Sequence, residues 1–202
     1  MDKAIDVFRA NMLRVRDLGG LYKAISALTT RAVDASDLLR AQLVLGVSAL
    51  DHYVHELTAL GVLEVFKGKR TPTQSFFKFR VSMESVLLGS GVSGTGVSTW
   101  FESEIRERHS FASFQQPDRI ADAIRLFSDV KLWPSVSIKL AITERDAKEQ
   151  LKLIVDRRNK IAHEADMDPS YPGARWPISE TDVNKALDFI EQLCEAIHVA
   201  VV

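Results

Sequence analysis

Asp156-Arg157-Arg158-Asn159-Lys160-Ile161-Ala162-His163-Glu164 brings a run of cations, an amide and an imidazole together near the end of one helical pattern. The pattern extends from Glu144 to Ala165. Within it Leu151, Ile154, Arg158 and Ile161 recur at the helical repeat, so an arginine takes a place in the apolar stripe where a leucine is expected. Asp156, Asn159 and His163 share the opposite arc. Arg158 and His163 are separated by roughly 140° around a straight helix. They do not converge on one small ion from a lone helix, but they can line two walls of a cleft where this helix meets another, or its own copy. The chemistry such a pair suits is phosphoryl transfer. An imidazole with an ordinary pKa near 6.5 takes or positions a hydroxyl proton. A guanidinium fork matches a phosphate and offsets the charge that builds on it. Asn159 can fix the imidazole or hold a phosphate oxygen. The plain alternative is a solvated helix end, where Arg158 and His163 serve the C-terminal dipole.

Arg158-Asn159-x-x-x-His163, near the end of a penultimate helix, resembles the signature of the HEPN superfamily. An earlier block, Leu38-Leu39-Arg40-Ala41 through Val47-Ser48-Ala49-Leu50-Asp51-His52-Tyr53-Val54-His55-Glu56-Leu57, is similar to its RiboL-PSP-HEPN branch, and the two blocks occur in the expected order over roughly Ser36 to Ala165. The resemblance implies an all-α fold, a HEPN-like helical bundle with additional short helices. It further implies a metal-independent endoribonuclease, in which the 2′-hydroxyl of RNA attacks its own phosphodiester in a homodimer cleft holding both protomers' motifs. Arg158, His163 and Asn159 are then the catalytic residues, and Lys152, Arg157 and Lys160 the RNA-binding cations. No cofactor and no metal are expected. The expected partners are RNA, a second copy of the chain and an antitoxin or other defence-system protein, in keeping with a toxin or phage-defence effector. The alternatives are a non-catalytic HEPN module that binds RNA or a protein, and a structural dimer without nucleic acid. Some HEPN toxins carry a tyrosine two residues after the histidine, which a partner nucleotidyltransferase modifies; here that position is Ala165, which has no hydroxyl to offer.

Asp51, His52, His55 and Glu56 form a second constellation. The spacings of Asp51 and His52 to His55 allow a shared face, but Glu56 points elsewhere and a third strong ligand is missing. An Asp–His pair satisfying polar groups at a helix contact is the expected reading. Since Asp51 and His55 lie in the block that resembles the family, they are candidates for orienting the active helix. Cys194 and the tryptophans read as core.

The bulk numbers agree with such a protein. At 202 residues, with 46% hydrophobic residues, the chain makes one domain with a sizeable core. A net charge of −1 argues against a protein that coats long nucleic acids, though not against a local cationic cleft touching a few phosphates. The cluster Lys148, Lys152, Arg157, Arg158 and Lys160 is such a patch. One cysteine excludes an intrachain disulfide and fits a reducing compartment. No apolar run reaches the roughly 18 residues that span a bilayer, and Met1-Asp2-Lys3 opens straight into an amphipathic pattern, so a cytoplasmic location and no membrane are expected.

The elements that must position these residues follow from periodicity and punctuation. Residues 1–35 read as a helical hairpin: a helix from Asp2 to Asp17 closed by Gly19-Gly20, then a shorter one from Leu21 to Val33. Asp34 to Asp37 supplies capping oxygens for a long helix from Asp37 to about Phe66. Gly46 in its middle calls for a closely passing helix. The stretch from Gln74 to Leu88 reads as short helical turns, and 89–96 as a linker or mobile lid. Helices follow over Ser98 to His109, Pro117 to Val130 and Ser135 to Ala141, the last after a corner at Trp133-Pro134. Thr143 caps the helix of the Arg–His motif. Residues 166–202 form a loop with three prolines and a glycine over 168–177, then a helix capped by Ser179 with Asp182 as reciprocal partner.

Overall fold

The computed structural model describes residues 1–30, 33–90 and 96–202, apart from the side chains of 88–90 and 96–98. Among the described residues the secondary structure is helical throughout, save one isolated antiparallel bridge between Met167 and Arg175. The helices are α1 (Asp2–Leu28), α2 (Ser36–Phe66), α3 (Gln74–Phe77), α4 (Met83–Ser90), α5 (Gly96–His109), α6 (Pro117–Arg125), α7 (Leu132–Leu140), α8 (Glu144–Glu164) and α9 (Glu180–Val201). No helix of the described residues is long and apolar enough to cross a membrane.

α2 is the axis of the bundle. It is apolar nearly all round, and it packs against α1, α5, α6, α8 and α9. A helix hydrophobic on every side is stable only when covered on every side. Leu39, Val47, Leu50, Tyr53, Val54, Leu57 and Val62 are wholly buried in consequence. Tyr53 meets Phe8 of α1 with ring centroids 5.4 Å apart. The close approach expected at Gly46 is real: a Cβ there would lie 2.4 Å from Leu187 Cδ2 of α9.

The N-terminal hairpin is not formed. α1 runs unbroken through Gly19 and Gly20, because its buried face, which reaches from Ala4 to Gly19, packs on α2 and α9. Gly19 is buried against Gln42, whose Nε2 would be 2.7 Å from a Cβ at that position. The glycine that reads as a stop is thus a contact point, and packing outweighs a helix penalty of about 1 kcal/mol per glycine. The helix stops at Leu28, where Thr29 turns extended.

Other boundaries move for local reasons. α6 ends at Arg125 rather than Val130, where the buried Thr73 hydroxyl donates to the carbonyls of Arg125 and Leu126 at 2.8 and 3.2 Å. Trp133-Pro134 is not a corner but the first turn of α7, where a missing N–H costs nothing. Trp133 Nε1 donates to Pro117 O at 3.2 Å, which joins α7 to α6. α5 begins at Gly96, ahead of Ser98. The linker expected over 89–96 falls mainly on 91–95, outside the described residues.

Candidate active site on helix α8

The Thr143 hydroxyl starts α8 by accepting from Asp146 N at 3.1 Å. Ala147, Leu151, Ile154 and Val155 then bury its apolar stripe against α2 and α7. Arg158 prolongs that stripe, as its spacing requires, and is half-buried. Its Nη1 donates to Asn159 Oδ1 at 3.0 Å. Its Nε is sealed from solvent and has no hydrogen-bond partner among the described residues. A buried guanidinium N–H without an acceptor is costly, which marks it as a donor awaiting one. His163 occupies the opposite arc in the last turn, exposed to solvent. Since α8 is unbroken between them, one protomer does not bring Arg158 and His163 onto one face.

The end of α8 is held by a feature that periodicity does not reveal. Ala165 and Asp166 both take left-handed backbone, at φ 51° and 59°, a conformation that costs a non-glycine residue free energy. What holds it is the Asp166 carboxylate, wholly buried between two arginines. Oδ2 accepts from Arg40 Nε at 2.7 Å and from Arg157 Nη2 at 2.9 Å, while Arg157 Nη1 stands 2.6 Å from Oδ1. Arg40 goes on to Ser36 Oγ at 2.7 Å and Trp176 O at 2.9 Å. The start of α2, the end of α8 and the segment that follows are tied at one point.

This knot corrects the reading of Arg157 as an RNA-binding residue. Its fork is turned onto Asp166 and also reaches Pro177 O at 3.2 Å, so both terminal nitrogens are engaged within the chain. Burial pulls its guanidinium below the ordinary value, while the charge of Asp166 works against that pull. The other two RNA-binding candidates face solvent. Lys152 is exposed on the arc of His163, and Lys160 lies over the Trp176 ring, 5.1 Å from its centroid. Lys148 pairs with Glu144 at 3.3 Å.

Asp51 and His55 are also placed differently from expectation. Asp51 accepts from Phe114 N at 2.6 Å and from Gln115 Nε2 at 3.0 Å. His55 Nε2 lies 3.2 Å from Ala112 O, and its ring is 4.5 Å from that of Phe114. These partners all belong to the turn between α5 and α6, so the pair orders that turn and does not orient α8. Glu56 pairs with Arg106, and His52 is exposed. Among the described residues no group of three or more His, Cys, Asp or Glu is arranged to hold a metal.

The same turn buries His109, which lies against Phe114 and Phe79 at 5.3 and 6.0 Å. Burial, reinforced by His55 and Arg108, pushes its pKa down to about 4. A folded value below the unfolded one means that the unfolded chain takes up the proton first. Stability should therefore be undiminished above about pH 6.5 and fall as pH drops towards about 4, by roughly 3 kcal/mol in all. Chemical denaturation of wild type and His109→Phe across that window checks it. The variant should show a shallower decline, and equal slopes would refute the assignment.

The spacing of residues does not point to Arg40, Asp166 or Trp176. The available signal is Arg40, a charge between Leu39 and Leu43 in a long helix that is apolar nearly all round.

No curated protein and no solved structure matches the chain. A family model does, that of RiboL-PSP-HEPN, over residues 13–202. The match takes in the Arg158–His163 motif, the α2 block and the Arg40–Asp166 knot between them, within a superfamily that includes ribonucleases and nucleotide-binding proteins. With an all-helical bundle around α2 and a match covering nearly its whole length, the chain belongs to the RiboL-PSP-HEPN family.

Proposed function

We propose that the protein is a metal-independent endoribonuclease whose cleft forms between two copies of the chain. The observation that carries this reading is the end of α8. A buried guanidinium N–H without an acceptor among the described residues lies on one side of the helix and an exposed imidazole on the other, within the motif of a family to which the chain belongs. A second α8 packed across the first would supply His163 opposite Arg158.

In that cleft the 2′-oxygen of a ribose forms a bond to the adjacent phosphorus as the imidazole of His163 takes its proton. Arg158, positioned through Asn159, donates to the non-bridging oxygens as charge builds on the phosphorane. The P–O5′ bond then breaks. One product carries a 2′,3′-cyclic phosphate, and the other a 5′-hydroxyl protonated by an imidazolium. A nuclease of this kind suits a toxin or phage-defence role, with a neutralising partner.

Purified protein should cleave single-stranded RNA and leave the same strand intact when every 2′-hydroxyl is replaced by hydrogen. Sedimentation at micromolar concentration should return about twice the 22.6 kDa of one chain. A strict monomer that still cleaves RNA would remove the shared cleft. Growth arrest on expression, absent for His163→Ala, tests the toxin role.

A further inference from the structure

The segment after α8 is a strap, residues 166–177, whose backbone is unusually well held for a loop. Asp168 N donates to Ala174 O at 2.9 Å, Tyr171 N to Asp168 O at 3.1 Å, Ala174 N to Tyr171 O at 2.9 Å and Trp176 N to Asp166 O at 2.8 Å. Its two ends are fixed by the buried Asp166 carboxylate and by Trp176 O, both bound to Arg40 of α2. Gly173 supplies the one glycine turn at φ 85°. On this fixed frame the Tyr171 side chain stands 69% exposed, and the half-buried Trp176 ring carries Lys160 across it.

Two features set the strap apart from an ordinary surface loop. The first is rigidity joined to exposure. A large ring presented on a fixed backbone loses little conformational freedom when something stacks on it, which is how exposed tyrosines become effective contacts. The second is Lys160, which has no carboxylate partner among the described residues. It precedes His163 by three residues, so the two side chains are neighbours on the surface of α8. Lys160 and the Trp176 ring beneath it thus stand beside the imidazole that would meet a ribose, and Tyr171 projects from the same strap that carries Trp176.

We infer that the strap is the nucleobase platform of the cleft, with Tyr171 stacking on an unpaired base while Lys160, steadied by Trp176, holds the neighbouring phosphate. This rests on the ribonuclease reading and adds to it a base-contacting residue outside the Arg–His motif. Stacking on a side chain requires a base that has left its helix, so the platform selects unpaired nucleotides over duplex. It reads no hydrogen-bonding edge and is therefore tolerant of sequence.

The probe is a fluorescein-labelled, single-stranded 2′-O-methyl RNA dodecamer, which lacks the nucleophile and stays intact. Its affinity is measured by anisotropy against wild type, Tyr171→Ala, Tyr171→Leu, Tyr171→Phe and Lys160→Ala. Loss of one stacked base should weaken Tyr171→Ala by about tenfold. Tyr171→Leu should lose as much, being apolar without a π face, and Tyr171→Phe should bind like wild type. Lys160→Ala should make the slope of log K against log salt shallower by about 0.7, one phosphate on a single strand. Thermal melts separate misfolding from lost contact, because an exposed side chain at 171 should leave the melting temperature in place. Wild-type affinity in both Tyr171→Ala and Tyr171→Leu, alongside RNA cleavage by the wild type, overturns the platform and leaves the nuclease reading standing. A wild type that neither binds the dodecamer nor cleaves RNA overturns both.

Discussion

Replacing His163 with alanine should lower RNA cleavage about a hundredfold or more, the usual scale for losing one acid–base group, while substrate affinity changes little. The expected split follows from where the residue lies. His163 is exposed in the last turn of α8, and its ring makes no hydrogen bond with another described residue, so its loss removes a proton acceptor without disturbing the fold. Arg158→Ala should cost a similar factor, since it removes the donor set facing the phosphorane. Two details make the pair diagnostic. Cleavage by the wild type should survive EDTA, because the mechanism asks nothing of a metal. An equal mixture of the two inactive variants should regain part of the activity if Arg158 of one copy and His163 of the other serve one phosphate. Should His163→Ala instead cleave like wild type, the catalytic assignment fails outright. If His163→Ala weakens binding as much as Lys160→Ala does, and neither variant nor wild type cleaves, the protein holds RNA rather than cutting it.

The largest effect on stability is expected at Asp166, a position with no part in the chemistry. Asp166→Ala leaves Arg40 and Arg157 facing each other with no anion between them, in a place where Arg40 is 6% exposed. Breaking a buried charge arrangement on one side costs about 3–5 kcal/mol, because the remaining charge stays desolvated and unpaired. For a chain of this size that is a fall in melting temperature of roughly 10 °C. The two arginines should not be equivalent. Arg40→Ala should approach the cost of Asp166→Ala, as it removes the link to Ser36 and Trp176 O together. Arg157→Ala should cost less, with part of its side chain still reaching solvent. Calorimetry on the three variants provides the ranking, and a melting temperature for Asp166→Ala within 2–3 °C of wild type would show that the knot is dispensable.

How far the chain could be read without its structure depended on the range of the interactions involved. α8 was legible because everything that defines it is local. The Thr143 hydroxyl closes onto Asp146 N three residues away, the stripe Leu151–Ile154–Arg158 repeats at the helical period, and Ser179 does the same for α9 with Asp182. The Arg158–His163 signature was legible for that reason too, and with it the family. Periodicity reports which face a residue takes, however, and not what covers that face. Gly19 and Gly46 look alike in sequence, each a glycine in an apolar pattern. One reads as a stop and the other as a contact, yet both are contacts, with Gln42 and Leu187 in helices the local pattern does not name.

The same limit governs the site. Arg157 and Arg158 are adjacent and chemically identical, so composition and spacing offer them equally to a phosphate. Only the fold separates them, by turning the chain through two left-handed residues after α8 so that Asp166 comes back onto Arg157. Its other partner, Arg40, is 126 residues earlier, beyond the reach of any helical repeat. Asp51 and His55 share a face as their spacing requires, but that face meets Phe114 and Ala112 rather than α8. Which side chains carry chemistry was written in the local order of residues. Which of them are free to perform it was decided by contacts between segments far apart in the chain, because a charge becomes structural only when folding brings its counterion to it.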